Sequence, residues 1–466
     1  MSTVLDLVHD SVDARDLARR LGAYCLDNKF HIDIQISRVP SVAEIIEHVE
    51  NLALAVPKSV WAPVHAIPGS LDQILGKELL ESLDYLSLVP HIDYYALLRG
   101  VCIAALVPWF EQTLDIVELE RGDPFPLPLR PNNKVFEKCT AHFPTLRRGE
   151  LLIDFLFGVY SGRLGNVKMN FQSREELDHA CWIDDPPSFP SVALVYPYAD
   201  GSQIRTPPDE VNVSERWWFG SGPTDKAWST ADILRQLKYS KSQQLTSHPC
   251  QVALLPELSL PSPDAMETLI RAHWSEIPEL VVLGSAHART ASEDYEFRSN
   301  ESVVYLNGVE LFRHCKRHPF ATKSFSTVEG HLLSEGLSPP EHFSLASGTL
   351  TRLSVLICVD AMDSTLVDGL KELGVNFLLI PALSPEIGSF NLAPVSISTA
   401  CQGLCIIVNG VPPGETEKPL FVCIASVPES DPNRQINVYY LPEGVSLPAV
   451  GILNPNVSLQ TAMSWL

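Results

Sequence analysis

A cysteine stands where a predicted buried strand gives way to a predicted helix. The run Leu353–Ile357 is rich in branched apolar residues, which is typical of a buried strand, and it ends at Cys358. Asp360 and Asp363 follow, and Ser364–Leu373 has the pattern of a helix. Backbone N–H groups at the start of a helix favour a thiolate and a developing oxyanion, so this cysteine is a candidate nucleophile. Taken alone, the pattern also fits a buried core cysteine.

Two charged residues follow other predicted strands. Glu257 comes after Pro256, just past the predicted strand Gln251–Leu255, and burial there would raise its pKa towards that of a general base. The alternative is a capping or surface glutamate. Lys316 ends the predicted strand Val309–His314, where its ammonium could stabilise a tetrahedral intermediate. The alternative is a lysine in an ordinary basic surface cluster.

Read together, the three stretches are LLPELSL, FRHCKRHPF and LICVDAMD. They resemble the glutamate, lysine and cysteine motifs of the nitrilase, or carbon–nitrogen hydrolase, superfamily, and they occur in that family's order. GVNFLLIPA at 374–382 resembles the family's strand after the nucleophile helix. STACQGLCIIVN at 398–409 resembles its helix-to-strand segment that ends in Asn. The resemblance covers about residues 190–427.

The resemblance implies an α/β fold, an α-β-β-α sandwich, and a hydrolase that needs neither a metal nor an organic cofactor. Glu257 would be the general base and Cys358 the nucleophile. Lys316 and the backbone N–H of Val359 would hold the developing charge. The implied substrate is a small amide or nitrile. An amide is preferred, because many nitrilases carry a tryptophan where Val359 follows the cysteine.

Further substrate-binding groups are less clearly marked. Many members of the resembled family have a second active-site glutamate after the lysine. Glu329 is the best match here, with Glu335 next, within FATKSFSTVEGHLLSEG. We also expect Asp360, together with Val359, among the groups that bind substrate or the oxyanion.

Two other classes of function fit the same motifs. One is an ammonia-supplying or acyl-transferring subunit of a complex. The other is a ligand-binding or regulatory protein that keeps the sandwich without turnover. Substituting Cys358→Ala separates the last class from the enzymes, because a function that survives this change does not depend on the thiol.

The length of 466 residues predicts two domains. Helical patterns before the Pro-rich stretch at 186–190 predict a mainly α-helical accessory domain over 1–185, of unknown role. They include Thr3–Leu21, with Gly22 as its stop, and Gly149–Tyr160. Residues 190–466 are predicted to form the hydrolase domain. The polar and aromatic loop Asp200–Trp228 suggests a lid or partner surface, unless its aromatic residues are buried.

The net charge limits the possible binding partners, and the cysteine content indicates the cellular compartment. The 56 acidic and 34 basic residues leave a net charge of −22, which argues against binding to nucleic acid or an anionic membrane. The ten cysteines show no paired spacing, and no apolar signal region opens the sequence, so we expect reduced thiols in the cytoplasm. The resembled family commonly assembles, so we also expect a homo-oligomer, at least a dimer.

Overall fold

The computed structural model describes part of the chain. The described residues are 14–28, 116–128, 157–183, 188–197, 227–243, 249–289, 298–319, 340–384, 388–410, 421–428 and 435–466, positions 10 and 337, and the short strands at 204–205, 212–213, 216–219, 222–223, 321–322 and 333–335. They fall into two compact units. The first lies within 1–129, 140–171 and 372–374, and the second within 130–139, 172–371 and 375–466.

The described part of the first unit consists mostly of short strands. Its elements are α1 (Ala14–Asp27), β1 (Ile116–Leu119), β2 (Pro124–Pro126), β3 (Phe157–Val159) and β4 (Asn166–Asn170). Antiparallel pairs join β1 to β4 and β2 to β3. The ring of Phe125 on β2 is fully buried against Gly158 on β3, where an added Cβ would lie 2.5 Å from the ring. Only glycine therefore fits beside that ring.

Two helix predictions in this unit are wrong in part. The predicted helix Gly149–Tyr160 contains β3, because its aromatic and branched residues pair with the extended proline segment of β2. Gly22 does not stop α1, which continues to Asp27. An added Cβ at Gly22 would lie 2.0 Å from the carbonyl oxygen of Gly122, so this glycine permits a close backbone approach. Residues 29–115 lie outside the described part, and their helical character stays a prediction.

The second unit contains the predicted alternation of strands and helices. The further helices are α2 (Arg174–Cys181), α3 (Thr230–Ser242), α4 (Glu267–His273), α5 (Ser364–Glu372) and α6 (Leu392–Ala400). Short 3-10 turns span Trp274–Glu276, Cys358–Met362, Gly388–Asn391 and Leu459–Thr461. The helix α3 begins just after Ser229, whose side chain and Asp232 form a reciprocal capping box.

The strands of this unit extend to the last described residues. They are β5 (Val192–Tyr196), β6 (Ile204–Arg205), β7 (Asn212–Val213), β8 (Arg216–Phe219), β9 (Gly222–Pro223), β10 (Val252–Leu254), β11 (Leu280–Val282), β12 (Ala286–Arg289), β13 (Arg298–Leu306), β14 (Val309–Cys315), β15 (Ala321–Thr322), β16 (Leu333–Glu335), β17 (His342–Ser347), β18 (Arg352–Val355), β19 (Phe377–Ala382), β20 (Leu404–Asn409), β21 (Phe421–Ser426), β22 (Ile436–Tyr440), β23 (Ala449–Leu453) and β24 (Met463–Trp465).

Two mixed sheets are built from these strands. Sheet I has the order β12-β13-β11-β10-β5-β23-β24, and β14 also pairs with β13. Within the second unit, sheet II has the order β17-β18-β19-β20-β21-β22. The central strands β5, β10 and β11 are parallel, as are β18, β19 and β20. Their continuous apolar runs suit strands that are buried on both faces.

The two sheets face each other, and helices cover their outer faces. On sheet I, Ala193 and Val195 belong to a buried cluster with residues of α3 and α4. Tyr196 points to the opposite face, where its hydroxyl donates a hydrogen bond to the carbonyl of Val422 on β21 of sheet II, at 2.8 Å. The helix α6 packs on β20 and β21. The predicted α-β-β-α sandwich is therefore confirmed.

The helix α2 lies within the second compact unit, and the predicted domain boundary near residue 185 stays a prediction. The carboxylate of Asp178 on α2 accepts hydrogen bonds from the backbone N–H groups of Thr349, Leu350 and Thr351. These contacts fix the helix to the turn between β17 and β18. No helix among the described residues has the length and apolar character needed to cross a bilayer.

Candidate active site

Glu257 lies directly after β10, on a tightly constrained turn. Its side chain is buried, and its backbone N–H donates to the carbonyl of Ala382 at the end of β19. The next residue, Leu258, has a φ of 59°, which is unusual for a bulky side chain. Gly284 supports the turn, because an added Cβ there would lie 2.1 Å from the carbonyl oxygen of Pro256. The packing of both sheets thus sets the position of this carboxylate.

Lys316 follows β14 and forms a buried ion pair with Glu257. The Lys316 side chain is 1% exposed, and its Nζ lies 2.7 Å from Oε1 of Glu257. Asn300 on β13 donates a second hydrogen bond, from its Nδ2 to the same oxygen at 3.0 Å. A buried charge pair is costly unless further hydrogen bonds complete it, and the Asn300 amide supplies one. The lysine is therefore not part of a basic surface cluster.

Cys358 opens the 3-10 turn after β18, as a residue in the left-handed region. Its φ is 49°, and its side chain is 2% exposed. Strained non-glycine residues of this kind gather at functional sites, where the surrounding structure holds them. The Sγ atom lies 4.0 Å from the carbonyl oxygen of Leu383. The Cys358 side chain is thus placed by the end of sheet II and by the loop that follows β19.

The thiol and the ion pair influence each other directly. Burial raises the pKa of the Cys358 thiol well above its usual value, and the negative charge of Glu257 raises it further. Lys316 and the contact with Leu383 act in the opposite direction. The resting cysteine is therefore a neutral thiol beside a carboxylate. This arrangement suits proton transfer to Glu257 during the attack rather than a preformed thiolate.

The structure places Asp360 in surroundings different from those expected. Its fully buried carboxylate accepts hydrogen bonds from the backbone N–H groups of Arg317 and His318, at 3.0 Å and 2.9 Å. These are the two residues after Lys316. Asp360 therefore ties the turn that carries Cys358 to the strand end that carries the lysine, and it contacts protein rather than open space.

Histidines complete the surroundings of Asp360. His318 Nδ1 lies 3.0 Å from Asp360 Oδ1, its Nε2 lies 3.2 Å from Asp363 Oδ2, and the buried His314 approaches Asp360 to 3.8 Å. Burial alone would raise the pKa of Asp360, but its contacts with His314, His318 and the backbone of Arg317 together lower it. Asp360 is consequently a carboxylate near neutral pH.

The structure describes the other predicted site residues only in part. Val359 lies between Cys358 and Asp360 and is half-buried. Glu329 lies outside the described residues. The backbone of Glu335 is on β16, opposite Phe219 of β8. Among the described residues, no group of three or more His, Cys, Asp or Glu side chains is arranged to hold a metal ion.

Sequence reasoning missed Asn300 as a site residue. The sequence showed it only as part of an Asn-x-Ser match, and its place on β13 beside Glu257 depends on pairing between distant strands.

The loop Asp200–Trp228 was expected to be irregular, but it contains β6 to β9, and β8 pairs in parallel with β16. Trp228 is partly buried and packs against the core of sheet I. Its N–H donates to Pro197 at 2.7 Å, which closes the base of this insertion.

Comparisons with known proteins find similarity in structure. No protein-family model matches the chain, and no curated protein matches its sequence. One similar solved structure is Nit3 from Saccharomyces cerevisiae, which is described as a member of branch 10 of the nitrilase superfamily. Its sequence identity to this chain is 13% and its TM-score is 0.38, and the match covers 58% of this chain and 93% of Nit3. An amidase from Nesterenkonia sp. is similar at 16% identity and a TM-score of 0.36, covering 58% and 92%.

A third similar structure is the glutamine-dependent NAD+ synthetase from Acinetobacter baumannii, at 14% identity and a TM-score of 0.34, covering 57% of this chain and 46% of that one. The superfamily that the motifs resemble is also the one named in the description of the first of these structures. At such low identity, the function of this chain has to be inferred from its own site residues.

Proposed function

We propose that this chain is a cysteine-dependent hydrolase of non-peptide carbon–nitrogen bonds, which acts on a small amide through a thioester. The observation that supports it best is the buried contact of 2.7 Å between Lys316 and Glu257, with the Cys358 thiol under the influence of both. A base, a cation and a nucleophile held together away from water are the groups that acyl transfer needs.

The first half-reaction forms the thioester. Glu257 takes the thiol proton while Cys358 Sγ attacks the amide carbon. The carbonyl electrons move to oxygen, and Lys316 with the backbone N–H of Val359 stabilises this oxyanion. When the intermediate collapses, the C–N bond breaks, and the nitrogen takes the proton from Glu257 and leaves as ammonia or an amine.

The second half-reaction hydrolyses the thioester. Glu257 removes a proton from a water molecule, which attacks the thioester carbon, and the same two groups stabilise the oxyanion. Collapse breaks the C–S bond, the sulfur takes the proton back from Glu257, and the carboxylic acid leaves. One base therefore serves both steps, so replacing Glu257 should stop formation and hydrolysis of the thioester alike.

The role of Asp360 follows from its contacts. We propose that it positions the site by holding the main chain after Lys316 against the turn of Cys358, since its carboxylate accepts from Arg317 and His318. Glu329 stays a prediction for a second carboxylate at the substrate. An amide remains preferred to a nitrile, because a valine and not a tryptophan follows the nucleophile.

Intact-mass spectrometry after incubation with a library of small amides and nitriles tests this function. The wild-type chain is compared with Cys358→Ala and with Cys401→Ala, which removes another partly buried thiol. We expect acyl adducts and ammonia release from the wild type and from Cys401→Ala, and neither from Cys358→Ala. The mass of the adduct identifies the acyl group.

Two results would count against the proposal. Adducts that persist in Cys358→Ala would place the nucleophile elsewhere. A folded wild type that forms no adduct and releases no ammonia across the library would favour a ligand-binding role. An added amine acceptor distinguishes hydrolysis from acyl transfer, because only a transferase would release the acyl group as a new amide.

A further inference from the structure

Asn300 is a buried amide that contacts the proposed base. It lies on β13, its side chain is fully buried, and its Nδ2 donates to Glu257 Oε1 at 3.0 Å. The same oxygen accepts from Lys316 Nζ at 2.7 Å. An ammonium and an amide that both donate to one carboxyl oxygen stabilise negative charge there, so these two contacts favour the ionised form of Glu257.

The main chain of Asn300 also contacts the lysine segment. Its carbonyl oxygen accepts a hydrogen bond from the backbone N–H of Lys316, at 2.9 Å. This bond continues the ladder between β13 and β14 one residue beyond the pair of Glu301 and Cys315. Asn300 thus contacts the base through its side chain and the lysine through its backbone. One residue of β13 therefore helps to position both charged groups.

We propose that Asn300 is a positioning residue of this site, which aims the carboxylate of Glu257 and keeps it ionised. The inference rests on the proposed function, because it assigns Asn300 a role only through Glu257 as the base. A donor to a buried carboxylate favours its charged form, and losing that donor shifts the balance towards the protonated form. A protonated Glu257 cannot accept the thiol proton, so the reactivity of Cys358 should report on Asn300.

The pH dependence of Cys358 alkylation measures this reactivity without knowledge of the substrate. Iodoacetamide, a small amide that alkylates thiols, is reacted with the full chain over a range of pH. The Cys358 peptide is followed by mass spectrometry, which separates it from the other cysteines. The acid limb of this profile reports the protonation of the base.

Two substitutions of Asn300 differ in their expected effect. In Asn300→Ala, the midpoint of the acid limb should move up by about one pH unit, so that the rate on that limb falls about tenfold at a given pH. Asn300→Asp keeps the shape but places a second carboxylate beside Glu257, and it should move the midpoint further in the same direction. Either variant is informative if the other fails to fold, as judged by a thermal melt.

Two control variants separate this role from a general effect on β13. Ser302 is buried two residues along the same strand, and its hydroxyl has no hydrogen-bond partner among the described residues. Ser302→Ala should leave the profile unchanged. In a Glu257→Gln background the acid limb should follow the ionisation of the Cys358 thiol alone, and adding Asn300→Ala should cause no further shift.

The outcomes distinguish the inference from the proposed function. If the Asn300 variants fold and keep the wild-type midpoint while Glu257→Gln moves it, Asn300 does not act on the base and the inference is overturned. If Glu257→Gln itself keeps the wild-type profile, Glu257 is not the base and the proposed function fails. An upward shift in the Asn300 variants that vanishes without Glu257 supports both.

Discussion

At the scale of single residues, the pair of Glu257 and Lys316 places two charges where water is excluded. Their side chains are 4% and 1% exposed, and their charged atoms lie 2.7 Å apart. Removing one partner of such a pair leaves an uncompensated buried charge, whereas removing both does not. Substitutions of this pair should therefore change the free energy of unfolding as well as the activity.

We expect Lys316→Met to lower the free energy of unfolding by about 3 kcal/mol, because it leaves the carboxylate of Glu257 without its cation. Adding Glu257→Gln should recover part of this loss, since no charge is then left unpaired. Urea unfolding followed by tryptophan fluorescence measures both changes.

A surface pair serves as the control for this prediction. Lys238 and Glu276 lie 2.9 Å apart, with side chains 30% and 53% exposed. Lys238→Met should cost much less than Lys316→Met, because water screens an exposed pair. Equal losses in Lys316→Met and Lys238→Met would mean that burial of the first pair does not matter.

At the scale of elements, His318 connects the end of β14 with the turn after β18. Contact with Asp360 raises the pKa of His318, while partial burial and the charge of Arg317 oppose that shift. A histidine whose pKa is raised in the folded state stabilises the fold fully below its unfolded-state pKa. This contribution is lost as the pH rises through the raised value.

His318→Gln should therefore destabilise the chain more at pH 5.5 than at pH 9. The expected difference is at most about 1 kcal/mol, since the side chain is 44% exposed and solvent screens it. Unfolding curves of wild type and variant at three pH values provide the measurement. A destabilisation that grows with pH would contradict the assignment of this histidine as a charged link to Asp360.

The insertion between β5 and α3 is a second element with a separable role. Its ends meet where Trp228 donates to Pro197, so a short glycine and serine linker can replace residues 198–227 without stretching sheet I. Its strand β8 pairs with β16, which follows Lys316 in sequence. We expect the shortened chain to fold and, if the insertion acts as the lid that its sequence suggests, to react faster with iodoacetamide at Cys358.

Melting curves and the alkylation assay test this prediction. The wild-type chain and the chain carrying Cys358→Ala give the reference rate and the background. A shortened chain that folds but reacts at the wild-type rate would show that the insertion does not restrict access to the thiol. The aromatic residues of β8 would then be candidates for another role.

At the scale of the whole molecule, the last strands complete sheet I. The strand β23 pairs with β5 on one side and with β24 on the other, and Leu466 packs against the core of the sheet. Truncation before Ala449 removes the neighbour of β5 and should abolish soluble, folded protein. Truncation after Leu453 keeps β23 but removes β24 and the turn Leu459–Thr461, and it should leave a folded but less stable chain. Soluble yield and circular dichroism melts compare the two.

Assembly also belongs to this scale. The motif resemblance predicts a homo-oligomer, at least a dimer. Light scattering at working concentration tests this directly, and a mass near the 51.5 kDa of one chain would contradict it. The expected cytoplasmic location and the absence of nucleic acid and membrane partners likewise stay predictions.

Much of the second unit could be predicted because its signals are local. The apolar run Val192–Tyr196 forms a buried strand, and Ser229 caps the helix that begins at Thr230. The first unit was harder, because the FGV strand at Phe157–Val159 lies in a stretch with helical periodicity. Its pairing with the proline segment is a contact across the sequence, which periodicity does not encode.

The sequence by itself determined which residues could do the chemistry and that each follows a strand. Branched apolar runs and the proline or charged residues after them are local patterns, so Glu257, Lys316 and Cys358 could be identified without coordinates. Only the tertiary structure decided that the first two touch, that Asn300 joins them, and that Asp360 accepts hydrogen bonds from the main chain after Lys316. These contacts depend on the pairing and stacking of strands far apart in the chain, and no local pattern specifies that arrangement.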